Sequence, residues 1–155
     1  MIIQCWHGGK FRPYKPDNKY FSAYYFSSNE KVAATYGDIV YKCQITVKHG
    51  LTIDAKNNWY IEIPLPRKLR KLFGVRDMST DDLACSIRRE FKDHYNCIRI
   101  ENVIEGNGNQ SIATDYILLD DSYEILETYK VKTRMDIPYL VKEDQLFERL
   151  LKKYH

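Results

Sequence analysis

The first group able to do chemistry is His7-Gly8-Gly9. The histidine ends the apolar run Ile2-Ile3-Gln4-Cys5-Trp6, which reads as a buried strand stopping at a glycine turn. Taken alone, a histidine before two glycines is more often a loop residue than a functional one. Thirteen tyrosines are the odd number in the composition; each supplies a flat apolar face with a polar tip, suited to clefts that hold rings and equally to core packing. Tyr25 lies in an aromatic group with Tyr20, Phe21, Tyr24 and Phe26, and Tyr36 follows eleven residues later. Asp115 begins the run Asp115-Tyr116-Ile117-Leu118-Leu119-Asp120. In isolation it is a strand-start aspartate of the solvated or capping kind.

Other groups argue against whole classes of chemistry. His7, His49, His94 and His155 show no i, i+4 pair, so a metal site has little support. Neither a phosphate-cradling G-x-x-x-x-G-K-[ST] loop nor a dinucleotide G-x-G-x-x-G turn is present. Cys5, Cys43, Cys85 and Cys97 are widely spaced and read as reduced core thiols. Arg67, Lys68, Arg70, Lys71 and Arg76 form the densest basic stretch. It reads as a solvated helix face, with the alternative of a patch that docks a nucleic acid or an acidic target protein.

The elements that must position these groups are short and mixed. After a polar loop with Pro13 and Pro16, Ser27 and Glu30 have capping-box spacing and predict a short helix packed through Val32, Ala33 and Tyr36 and ended by a left-handed Gly37. Ile39, Tyr41, Cys43, Ile45 and Val47 alternate with polar residues, predicting a half-buried strand. A basic helical turn or two from Arg67 to Phe73 should close at Gly74. Ser79 with Asp82 caps a longer helix carrying Leu83, Ile87 and Phe91 on one face and running to about Tyr95. Strands are expected at 97–100, 115–120 and 123–131, with a turn-rich loop at 106–110. Leu146, Phe147, Leu150, Leu151 and Tyr154 predict a C-terminal amphipathic helix. No βαβ rhythm runs through this order, so the class is α+β.

The 155 residues suit one domain, and 44% hydrophobic residues suffice for its core. A net charge of +3 is too small for a general polyanion-binding field. No stretch approaches a membrane span, and the apolar start is too short for an export signal, so a cytoplasmic protein is expected.

Four separated pieces occur in one order: His7-Gly8, Tyr25-Phe26-Ser27, Ala34-Thr35-Tyr36-Gly37 and Thr114-Asp115-Tyr116. Together they resemble the ADP-ribosyltransferase superfamily of the H-Y-E type, the branch of diphtheria-like toxins and poly(ADP-ribose) polymerases. Leu51-Thr52-Ile53-Asp54-Ala55-Lys56 with Trp59, and Ile100-Glu101-Asn102-Val103-Ile104-Glu105, look like segments of small phage- and mobile-element-borne members. The resemblance covers about residues 2–126, leaving the basic middle (62–95) and the C-terminal helix unmatched.

The resemblance implies an α+β ADP-ribosyltransferase-like fold with two small packed β-sheets forming an NAD cleft. It would occupy residues 1–130, with a basic helical insertion at 62–95 and the C-terminal helix (131–155) packed on it. His7 would hold the nicotinamide-side ribose, and the Gly8 backbone would pair with the nicotinamide amide, glycine letting a planar ring come close. Tyr25 and Tyr36 would sandwich the nicotinamide, and Ser27 falls near a small polar position that contacts the cofactor. Asp115 stands where the family has a glutamate that holds the ribose 2′-hydroxyl and favours the positively charged state formed as nicotinamide leaves. Aspartate keeps the charge and shortens the reach by about 1.5 Å, and a displacement near 1 Å can cost on the order of a hundredfold in rate.

Ala113, two residues earlier, removes the paired-glutamate pattern of arginine-modifying transferases. Glu101 and Glu105 are the nearest upstream carboxylates, but neither begins an apolar strand, and Asp115 is preferred. The implied activity is mono-ADP-ribosyl transfer from NAD to a macromolecule, protein rather than nucleic acid, with Arg67, Lys68, Arg70, Lys71 and Arg76 as a docking surface. The implied setting is host modification by a phage or toxin-like protein. A degenerate binding module and an NAD glycohydrolase are the alternatives.

Overall fold

The computed structural model describes residues 1–11, 23–106, 108 and 110–131. The expected C-terminal helix therefore lies outside the described residues. Among the described residues nine strands and three α-helices follow one another as β1 (Ile2–Gly8), β2 (Tyr24–Ser27), α1 (Glu30–Ala34), β3 (Ile39–Thr46), β4 (Gly50–Asp54), β5 (Ile63–Pro64), α2 (Arg67–Phe73), β6 (Asp77–Met78), α3 (Thr80–Phe91), β7 (Cys97–Glu105), β8 (Ser111–Leu118) and β9 (Tyr123–Lys130). The class is α+β.

The sheets differ from the expected pair of small ones: seven strands form one sheet in the order β4-β7-β8-β2-β1-β3-β9, and β5-β6 is a two-stranded ribbon. The large sheet is nevertheless weakly joined in its middle. β1 and β2 share a single register pair, Trp6↔Ser27, whereas β1 runs alongside β3 from Ile2↔Thr46 to Gly8↔Val40 and β2 alongside β8 over its whole length. The β1/β2 line is thus a seam between two better-knit halves.

The core divides accordingly. On one side Ile53, Ile63, Leu69, Leu83, Ile87, Ile98, Ile100 and Ile117 pack beneath α2 and α3. Burying Leu83 and Ile87 contributes roughly 1.5–3 kcal/mol each. On the other, Cys5, Phe26, Cys43, Ile45, Cys97, Tyr116 and Leu118 form a second cluster. Burial pushes the Cys43 thiol up to about 11 and Cys97 to about 12, as expected of inert core thiols.

Several elements depart from the sequence pattern for local reasons. α1 is capped by Asn29, whose side chain accepts from Lys31 N–H at 2.9 Å, while Ser27 Oγ accepts from Asn29 N–H at 3.1 Å; the Ser27/Glu30 box does not form. Gly37 is not in the left-handed region. It is needed because a Cβ there would lie 2.8 Å from Gly9 Cα. In β3 the alternation breaks at a register shift between Lys42 and Cys43, so Val40, Cys43 and Ile45 are buried and Ile39 is exposed. α2 does close at a left-handed Gly74 (φ 71°), and Ser79 Oγ does cap α3, accepting from Asp82 N–H at 3.2 Å. α3 ends at Phe91 and passes into a 3-10 turn at Lys92–His94, short of Tyr95.

Candidate functional site

The residues singled out in the sequence lie on β1 and β2 at the seam, on the neighbouring β8 and in the loop after α1. Gly8, ending β1, lies hard against α1: a Cβ there would sit 1.6 Å from the Ala33 carbonyl oxygen. Only glycine allows α1 to approach this closely. Gly9 has φ +82°, and its added Cβ would meet the Tyr36 carbonyl oxygen at 3.1 Å. The two glycines therefore set the height of α1 and, through it, the position of Tyr36.

His7 stitches the seam where the backbone ladder is thin. Its Nδ1 lies 2.7 Å from the Tyr25 carbonyl oxygen and its Nε2 3.3 Å from that of Lys10. Carbonyls only accept, so both contacts would need the charged ring. Burial lowers the His7 pKa below its ordinary value and favours the neutral ring, which donates from Nδ1 in the shorter contact. The ring stacks on Phe11 with centroids 4.0 Å apart and meets Phe26 edge-on at 6.0 Å.

Tyr25, on β2, points its hydroxyl across to α3, where it donates to Asp81 Oδ1. Burial, then the Asp81 charge, raises its pKa far above the ordinary phenol range, with smaller contributions from Cys85 and Glu105. Ser27 is buried and faces Asp115 in register across β2 and β8. Ser28 fastens the same two strands, its N–H donating to the Thr114 carbonyl at 2.9 Å and its Oγ accepting from Thr114 N–H at 3.0 Å.

Asp115 does not open its strand. β8 begins at Ser111, so Asp115 lies mid-strand, only 6% exposed. Its carboxyl is hydrogen-bonded to that of Glu105, from the far end of β7. Glu105 Oε1 also accepts from the hydroxyl of Tyr36, which in turn accepts from Gly106 N–H at 3.2 Å. Burial raises both carboxyls, Glu105 more than Asp115, and the Glu105 hydrogen bond pulls Asp115 back down. Near neutrality the pair therefore keeps one proton between its two carboxyls and carries a single negative charge.

Glu105, set aside in favour of Asp115, thus belongs to the same site. The signal was hidden because β7 continues through a register shift between Ile100 and Val103, with Asn102 left-handed at φ 55°. Asp81 and Cys85 come from the basic insertion; Asp81 was visible only as an acidic residue in the first turn of α3. Arg67, Lys68, Arg70, Lys71 and Arg76 are all exposed on α2 and the turn after it.

The arrangement offers a buried carboxyl pair that carries one negative charge, with the Tyr36 phenol hydrogen-bonded to one of its members. An anion in such a site stabilises positive charge far better than it would in water. Among the described residues no group of His, Cys, Asp and Glu is placed to hold a metal, and no helix is long and apolar enough to cross a membrane. Comparison with known protein families, curated proteins and solved structures finds no match.

Proposed function

We propose that this chain is a mono-ADP-ribosyltransferase that cleaves NAD at the nicotinamide–ribose bond and passes ADP-ribose to a macromolecular acceptor. One observation carries the reading. Residues separated by up to about a hundred positions, and expected on the resemblance to share a site, lie on the adjoining strands β1, β2 and β8 and in the loop after α1. His7 bonds Tyr25 across it, Ser27 faces Asp115, and Tyr36 reaches Asp115 through Glu105. In this reading the Asp115 anion stabilises the sugar cation as the glycosidic electron pair leaves with nicotinamide, and Tyr25 and Tyr36 flank the departing ring. The exposed basic face of α2 docks the acceptor, and the setting is host modification.

The test is incubation of the full chain with labelled NAD, alone and with cell lysate, following free nicotinamide and label fixed to macromolecules. Asp115→Ala and Tyr36→Ala serve as controls, with circular dichroism to confirm their folding. Label fixed only by the intact protein supports the transferase; nicotinamide without fixed label makes it an NAD glycohydrolase. Neither product removes the enzymatic reading.

A second reading, a binding module without turnover, is favoured by the engagement of His7. Its ring nitrogens face the carbonyls of Tyr25 and Lys10 and its face is covered by Phe11. NAD binding without either product supports that reading.

A further inference from the structure

We propose that Asp81 is the positioning residue for Tyr25: from the first turn of α3 it takes the phenol hydroxyl and so fixes the plane of the ring that faces the nicotinamide. That role at the nicotinamide rests on the functional reading above. The Tyr25 hydroxyl donates directly to Asp81 Oδ1, although the two residues stand 56 positions apart in the chain. Tyr25 is held at its other end as well, its carbonyl accepting from His7 Nδ1 at 2.7 Å. With backbone and hydroxyl both tied, the ring between them keeps one orientation.

α3 serves as a fixed point because other residues make its start. Ser79 Oγ accepts from Asp82 N–H at 3.2 Å and Thr80 N–H donates to the Tyr60 carbonyl at 2.9 Å, so the Asp81 carboxylate is not needed as a cap. Further along the helix, Leu83 and Ile87 are buried in the cluster that contains Ile117, the cross-strand partner of Tyr25, and Tyr25 itself packs against that cluster. Anchor and ring therefore rest on the same core. Tyr25 shares its face of β2 with Ser27, whose partner on β8 is Asp115. Tyr25 is thus the diagonal neighbour of Asp115, a separation of about 7–8 Å in strand geometry. A ring that stacks on a planar ligand is useful only while its face is held, and a displacement near 1 Å at a reacting group can cost on the order of a hundredfold. Asp81 comes from the 62–95 segment that the resemblance leaves unmatched, so this segment completes the site.

The test sets binding of carbocyclic NAD, which keeps the nicotinamide ring but cannot release it, against binding of ADP-ribose, which lacks that ring. Calorimetric titration compares the full chain with Asp81→Ala, Asp81→Asn and Tyr25→Phe, each checked for folding by circular dichroism. Asp81→Ala is expected to weaken carbocyclic NAD roughly tenfold, equivalent to one well-placed aromatic pair, and to leave ADP-ribose unchanged. Asp81→Asn, whose amide oxygen still accepts from the hydroxyl, is expected to recover most of that loss. Tyr25→Phe added to Asp81→Ala should weaken binding no further, because both changes remove the same bond. Equal weakening of the two ligands in Asp81→Ala would reduce Asp81 to a tether of the fold, and unaltered binding of carbocyclic NAD would remove any role for it; either result overturns the proposal.

NMR of the chain with isotope-labelled tyrosine reads the anchor without any ligand. The Tyr25 ring signals, assigned by their loss in Tyr25→Phe, should move in Asp81→Ala and stay near their original place in Asp81→Asn. Signals that do not respond to Asp81→Ala overturn the proposal. A chain whose Tyr25 signals respond as expected yet which binds no carbocyclic NAD refutes the functional reading and leaves Asp81 standing as the anchor of the ring.

Discussion

Replacing Glu105 by Gln should make the protein more stable, and increasingly so as pH rises. Unfolded, this carboxyl has an ordinary value near 4.5; folded, burial and its bond to Asp115 raise it above neutrality. At pH 7 folding therefore requires proton uptake, at a cost of about 3 kcal/mol, taken as roughly 1.36 kcal/mol for each of the ~2.5 units between 4.5 and 7. Because the folded value is raised, the associated stability is complete below the unfolded value and is lost as pH climbs through the folded one. Between those limits the intact chain should lose about 1.4 kcal/mol of stability per pH unit relative to Glu105→Gln.

The amide preserves the local bonding, its oxygen accepting from Tyr36 and its N–H donating to Asp115, so the comparison isolates the proton. The assay is urea unfolding of both full-length chains at a series of pH values from neutral to mildly alkaline, reading the midpoint at constant slope. His7 is untouched by the substitution, so its contribution is common to the two chains and cancels in the difference. Stability curves that stay parallel across this range would show that Glu105 is ionised in the folded protein and that the proton sharing described here is wrong.

Other substitutions probe the seam. Gly8→Ala drives a Cβ to within 1.6 Å of the Ala33 carbonyl oxygen and should cost about 3 kcal/mol or more, read as a large drop in thermal midpoint or a failure to accumulate soluble protein. Tyr25→Phe removes the donor to Asp81 and should cost about 1–2 kcal/mol, measured by chemical denaturation, with little change in fold by circular dichroism. Titration with a thiol reagent at mildly alkaline pH should modify Cys85 first. Cys5, Cys43 and Cys97, buried and with raised thiol pKa values, should react only on unfolding; early modification of any of the three would contradict their burial.

Much of the secondary structure could be read locally, because short-range physics decides it. The Ser79 cap, the left-handed glycine closing α2 and the strand beginning at Tyr123 each depend on residues a few positions apart. Where long-range pairing sets the limits, local pattern failed. β7 and β8 extend each other as a hairpin well beyond their apolar centres, running to Glu105 and starting at Ser111. That extension moved Asp115 from a strand start to mid-strand and turned Glu105 from a loop-edge residue into its partner.

The types and order of His7, Gly8, Tyr25, Ser27, Tyr36 and Asp115 are properties of the chain, and the expectation that they share a site comes from the resemblance that this order carries. What only the tertiary structure decided is how they are held. Gly8 has no side chain because a helix rests on it, His7 spans a seam with one ladder pair, and Tyr25 is anchored by Asp81 from a segment fifty-six residues away. The protonation of the acid pair is decided there too. A carboxyl's affinity for a proton depends on water excluded and on neighbours brought close, and neither is encoded in the spacing between positions 105 and 115.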